Sequence, residues 1–158
     1  MKSLVVYYSR TGNTRFVAET IAAKLKAEIE EIIDKKSRRG LLGWLGAGKD
    51  ATMGRETEIE QVKHSPSHYD LVIIGCPIWN RRLPPAIRTY MKNSDFSKNM
   101  VAFFNTNRSN ENQNTFSTMK ELAKKEPLAK LVISSALKNR EASIKKIEDW
   151  CEHLKSKI

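Results

Sequence analysis

Five stretches of the chain are dense in apolar residues: Leu4 to Tyr8 (LVVYY), the alternating Glu28 to Ile33 (EIEEII), Leu71 to Gly75 (LVIIG), Met100 to Phe104 (MVAFF) and Leu128 to Ser134 (LAKLVIS). The runs around Val5, Ile73 and Phe103 are almost continuous, the pattern of strands covered on both faces in a parallel sheet. Between the five runs the apolar spacing changes to three and four. Val17, Ile21 and Leu25, with Ala18 and Ala22 beside them, predict one helix. Pro85, Ala86, Ile87, Tyr90 and Met91 predict a second that begins at a proline, and Phe116, Met119, Leu122 and Ala123 a third. Ile144, Ile147, Cys151, Leu154 and Ile158 form a last stripe, too short for a coiled coil and suited to covering a sheet.

The alternation of strand and helix is interrupted once, after the second strand, by Lys35 to Glu56, which holds five of the seven glycines. A helix there is short and broken, so this insert is expected to be a partly helical excursion ending in a loop over one edge of the sheet. The alternating units predict a doubly wound α/β fold with a parallel sheet. Ligands in such folds bind at the carboxyl ends of the strands, where strand order reverses. At 158 residues the chain is read as a single domain, 1–158.

Composition narrows the class. Hydrophobic residues make up 40% and charged residues 29%, as in ordinary globular proteins, and no apolar run approaches the ~20 residues that cross a bilayer. The N-terminus runs straight into a strand pattern without a cleavage site, so a cytoplasmic location is expected. Cys76 and Cys151 are isolated, which predicts two reduced thiols. His64, His68 and His153 have no partners at metal-ligand spacing and are read as surface residues, so no metal is expected. The net charge of +10 creates a field that attracts an acidic partner or an anionic ligand. Aromatics interleaved with basic residues are nowhere concentrated, which argues against nucleic acid.

The candidate chemistry starts at SRTGNT, Ser9 to Thr14, between the first strand and the first helix. Free backbone N–H groups and the helix dipole make that junction suited to an anion. Ser9, Thr11 and Thr14 offer hydroxyls, Asn13 an amide, and Gly12 lets the backbone come close. Residue types alone also fit a polar turn with Thr14 as helix cap. A second loop-like stretch follows the third strand, and a third, NTNRSNENQN (Asn105 to Asn114), follows the fourth.

Over Val5 to Ile21, VVYYSRTGNTRFVAETI resembles the phosphate-binding segment of the flavodoxins, with Val5, Val6, Tyr7, Ser9, Gly12, Thr14, Ala18 and Ile21 filling its pattern. The resemblance implies a flavodoxin-like three-layer α/β/α sandwich with strand order 2-1-3-4-5 and FMN as cofactor. Ser9, Thr11, Asn13 and Thr14, with the amides around Gly12, would hold the 5′-phosphate without a metal. Asp70 to Met91 (DLVIIGCPIWNRRLPPAIRTYM) resembles the third strand and ring-binding loop of that family. It implies Trp79 against the isoalloxazine ring and the backbone of Pro77, Ile78 and Asn80 at the ring edge. Asn105, Thr106, Asn107 and Arg108 would contact the pyrimidine edge. The aromatic that flavodoxins commonly carry in this last loop is missing, which leaves one flavin face open or covered from elsewhere, with Trp44 a candidate.

One rival motif lies in the insert. GWLGAGKD (Gly43 to Asp50) matches GxxxxGK, yet Asp50 stands where a hydroxyl should hold magnesium, and no strand precedes it. Arg10, Arg81, Arg82 and Arg108 map to the loops expected around the flavin, where positive charge favours the ionised, reduced ring and raises its potential; pointing into water, they would be screened. The resemblance therefore implies an FMN-binding electron-transfer protein, a carrier or an FMN-dependent NAD(P)H or quinone oxidoreductase. Its acceptor would be a redox partner protein, an acidic one given the basic charge, or a small molecule such as a quinone, and no catalytic side chain is required. The other reading is a flavin-poor module of the same fold that uses its basic surface to bind an acidic partner.

Overall fold

In the computed structural model, residues 1–35, 56–78, 82–107 and 114–158 are described. Strands β1 (Ser3–Tyr7), β2 (Glu28–Glu31), β3 (Leu71–Pro77), β4 (Met100–Asn107) and β5 (Lys130–Ser134) form one parallel sheet in the order β2-β1-β3-β4-β5. Four helices cover it: α1 (Asn13–Leu25), α2 (Pro85–Lys92), α3 (Thr115–Ala123) and α4 (Arg140–Lys155).

The two-residue period of the strands divides the core. Leu4, Val6, Val72, Ile74, Val101 and Phe103 pack on one face with Ile87, Tyr90 and Met91 of α2 and Met119 of α3. Val5, Tyr7, Leu71, Ile73, Ala102 and Phe104 pack on the other with Val17 and Ile21 of α1 and Ile147 and Leu154 of α4. Both faces of β1, β3 and β4 are dry, as their continuous apolar runs require. The helices follow the expected periods, with one shift. In α4, Trp150 joins Ile147, Cys151 and Leu154 inside, while Ile158 lies beyond the helix and is 46% exposed.

Strand ends differ from the apolar runs because backbone pairing outlasts apolar character. Cys76 and Pro77 still pair with Asn105 and Thr106, which carries β3 and β4 past Gly75 and Phe104. β2 stops at Glu31, although Ile32 still donates its N–H to the Tyr7 carbonyl at 2.7 Å. There the chain turns into a short antiparallel contact: Asp34 bridges Ile59, Lys35 N–H reaches the Glu58 carbonyl at 3.0 Å, and Glu60 N–H the Ile33 carbonyl at 2.9 Å. Thr57 then ties this contact to α2. Its N–H donates to Thr89 Oγ1 at 3.0 Å, Thr89 Oγ1 donates to its carbonyl at 2.9 Å, and its hydroxyl donates to Asp34 at 2.7 Å. The expected excursion and the GxxxxGK match fall on residues 36–55, outside the described residues, as does Trp44.

His64 departs from the surface reading. Its ring is partly buried, with Nδ1 against the Glu30 carboxylate and Nε2 3.3 Å from Glu28. Glu30, itself buried, also accepts the N–H groups of Lys63 and His64, each at 3.2 Å. Cys76 and Cys151 are both buried free thiols. No described helix is long and apolar enough to cross a membrane.

Candidate functional site

The carboxyl ends of β1, β3 and β4 lie side by side, and the loop from Tyr8 to Gly12 leaves β1 to start α1. Gly12 caps the helix with φ 88°, a left-handed conformation that costs a side-chain-bearing residue about 1–2 kcal/mol. Thr14 is therefore inside the helix and not its cap, and no side chain caps α1. The N–H groups of a first turn lack intrahelical acceptors, and here no acidic residue stands among them. Ser9 Oγ accepts the Gly12 N–H at 3.2 Å, which leaves its own proton to donate. Thr11 is exposed, and Arg10 and Asn13 are half-buried.

Each remaining side chain ties this loop to a different neighbour. Asn13 Oδ1 accepts the Leu137 N–H at 3.1 Å, and its amide donates to Thr11 Oγ1 at 3.4 Å. Thr14 Oγ1 lies 2.7 Å from Thr106 Oγ1, with both residues buried. Arg15 turns away from the loop: its guanidinium meets both Glu31 oxygens at 2.7 Å and the Tyr7 hydroxyl at 3.3 Å.

At the end of β4 the polar residues alternate. Ile78 N–H donates to the Thr106 carbonyl at 3.0 Å, joining the loop after β3 to the end of β4. The Cys76 thiol donates to Asn105 Oδ1 at 3.3 Å, and burial pushes that thiol up, so it is inert as a nucleophile. Ser134 donates to Asn107 Oδ1 at 2.7 Å. Asn105 Nδ2, Asn107 Nδ2 and the Thr115 hydroxyl, at the start of α3, have no partner among the described residues. Buried donors without acceptors are costly. The carboxyl end of the sheet thus gathers N–H and O–H donors beside Gly12 and unpartnered amide donors at the end of β4.

Ser9, Arg10, Thr11, Gly12, Asn13, Thr14, Pro77, Ile78, Asn105, Thr106 and Asn107 all belong to the carboxyl-end loops, the adjoining strand ends or the first turn of α1. Trp79, Asn80, Arg81 and Arg108 lie outside the described residues; Arg82 is exposed. Leu137 and Ser134, from the β5 side, were not legible as members, since their contacts depend on residues far away in sequence. Beyond Leu137, a cavity of about 650 Å³ opens between the end of β5 and the start of α4, lined by Lys138, Arg140, Glu141 and Lys146. Arg140 also lies over the Phe16 ring of α1, 4.9 Å from its centroid. No group of metal-binding side chains occurs among the described residues.

A doubly wound parallel sheet whose order reverses at β1, with a helix capped by a glycine and by no side chain at that point, defines the class of flavodoxin-like proteins. The family model for flavodoxin matches residues 2–154, and the chain belongs to the flavodoxin family. A flavoprotein from Lactobacillus acidophilus, solved in complex with FMN, is 25% identical, with a TM-score of 0.69 over 87% of this chain and 96% of its own. A candidate flavoprotein from Bacteroides uniformis is 23% identical, with a TM-score of 0.79 over 96% and 97% of the two chains. Oxidised flavodoxin 2 from Bacillus cereus is 19% identical, with a TM-score of 0.66 over the full length of both. No curated protein matches the chain.

Proposed function

We propose that this protein binds FMN with its phosphate at the Ser9 to Thr14 loop and its ring between the loops after β3 and β4, and that it transfers electrons to an acidic protein or a small acceptor. The observation that carries the reading is the glycine-capped start of α1, which presents unsatisfied N–H and O–H donors and no carboxylate to an incoming phosphate. Family membership adds FMN as the expected cofactor. FMN when bound supplies one- or two-electron chemistry. The chain's own residues bind and orient it: Ser9, Thr11 and the amides around Gly12 toward the phosphate, Asn105 and Asn107 toward the pyrimidine edge, and Trp79 as the stacking aromatic.

The cations beside the cavity at Leu137 support an acidic acceptor. Lys138 and Lys146 make no ion pair among the described residues, and they line the cavity next to the phosphate loop. The first test is an absorbance spectrum of the protein purified with and without added FMN. A flavin spectrum that survives gel filtration is expected, and a colourless protein that ignores FMN sinks the reading. Oxidation of NAD(P)H by the loaded protein alone would make it a reductase, and its absence a carrier.

A further inference from the structure

We infer that Thr106 is a positioning residue for the flavin phosphate, acting through Thr14; the inference rests on the FMN reading above. Thr106 is 3% exposed and, near the end of β4, bonds both to the loop after β3 and to the first turn of α1. Its carbonyl accepts the Ile78 N–H at 3.0 Å, from the loop after β3. Its side chain points to the α1 face of the sheet, where its hydroxyl lies 2.7 Å from that of Thr14, 1% exposed and in the first turn of α1.

Two hydroxyls carry two protons, yet only one hydrogen bond joins this pair, and no other bond of either hydroxyl occurs among the described residues. One buried proton is therefore left without an acceptor, a costly arrangement. A phosphate dianion at the Gly12 loop removes the cost in one orientation only. Thr106 donates to Thr14, and Thr14 donates to a phosphate oxygen. Hydrogen bonds in such a chain polarise one another, so the bond from Thr106 strengthens the bond from Thr14 to the anion. The same residue holds Ile78 by its backbone, so the phosphate end and the ring end of the site share one fixed point. Without the phosphate group, as in riboflavin, the relay has nothing to serve.

The test compares wild type, Thr106→Val, Thr106→Ser and Thr14→Val as apoproteins titrated with FMN and with riboflavin, read by flavin fluorescence, with a thermal melt of each to establish folding. Valine keeps the β-branched shape and removes only the hydroxyl. Thr106→Val is expected to weaken FMN about tenfold, the weight of one hydrogen bond to a charged group, while riboflavin affinity stays within about twofold. Thr106→Ser is expected to restore FMN binding, and Thr14→Val combined with Thr106→Val to cost little more than either alone. Equal losses for both flavins, or no loss for FMN, overturn the relay and leave the FMN site standing. Wild-type protein that binds neither flavin overturns the FMN reading and the relay together.

Discussion

Gly12 and Gly75 are the two glycines among the described residues, and a different constraint fixes each. At Gly12 the limit is backbone conformation: a Cβ would meet Leu137 at an ordinary 3.6 Å, but φ is +88°. Gly12→Ala is therefore expected to cost about 1–2 kcal/mol in urea unfolding, and to weaken FMN more than riboflavin because the loop opens at the phosphate. At Gly75 the limit is space. A Cβ there would lie 1.9 Å from the Phe104 ring, which is fully buried. Overpacking a core costs 1–3 kcal/mol or more, so Gly75→Ala is expected to destabilise by about 3 kcal/mol; urea midpoints measure it. Gly12 was legible because its neighbours carry the phosphate-loop pattern. The demand at Gly75 comes from a ring on the next strand, and the Asn13 to Leu137 bond spans 124 residues; no local pattern records either.

Among the elements, β2 is one of the two edge strands, opposite β5, and is held by polar side chains. Glu28 accepts the Tyr69 hydroxyl at 2.6 Å and pairs with Lys2 at 3.1 Å, and Lys2 lies over the Tyr69 ring. The Tyr69 hydrogen bond, then that from Lys2, holds the Glu28 carboxyl below its ordinary value. Burial first and Glu28 second push the Tyr69 phenol up to about 12. The signs differ. A depressed carboxyl stabilises above its unfolded value and loses that contribution as pH falls through the folded one. A raised phenol stabilises below its unfolded value and loses the contribution as pH rises toward about 12. Tyr69→Phe is thus expected to be less stable than wild type at neutral pH, with the gap narrowing on both the acid and the alkaline limbs of a urea-melt series. A gap constant across pH would contradict this. The sequence pattern made β2 an alternating strand; it is a strand, but one that buries Glu30 and leaves Ile29 37% exposed, the reverse of an apolar-inward alternation. That its end is bound by Thr57 and His64 from beyond the insert was hidden, because those contacts join segments with no shared periodicity.

At the scale of the whole molecule the net charge is +10, and among the described residues the carboxylates are unevenly spread. Glu28, Glu30, Glu31, Asp34, Glu56, Glu58 and Glu60 gather at β2 and its antiparallel partner, whereas Lys138, Arg140 and Lys146 line the cavity at the opposite edge. The proposed acidic partner would be steered toward the β5 side, so the electron-transfer rate to it is expected to fall with added salt, and Lys138→Glu with Lys146→Glu to lower the rate severalfold in stopped-flow. The layered fold was legible as a whole because the apolar runs of β1, β3 and β4 admit only a sheet covered on both sides. The face that meets a partner was not, since charge placement appears only after the chain is folded. The antiparallel contact at the end of β2 has one more consequence. Because Lys35 and Glu58 are hydrogen-bonded neighbours, the described residues that flank 36–55 lie side by side, and a splice between them closes almost no loop. Replacing 36–55 with a short glycine-serine turn is expected to leave the unfolding midpoint near that of wild type, so that the shortened protein can be compared with wild type for FMN binding by subtraction.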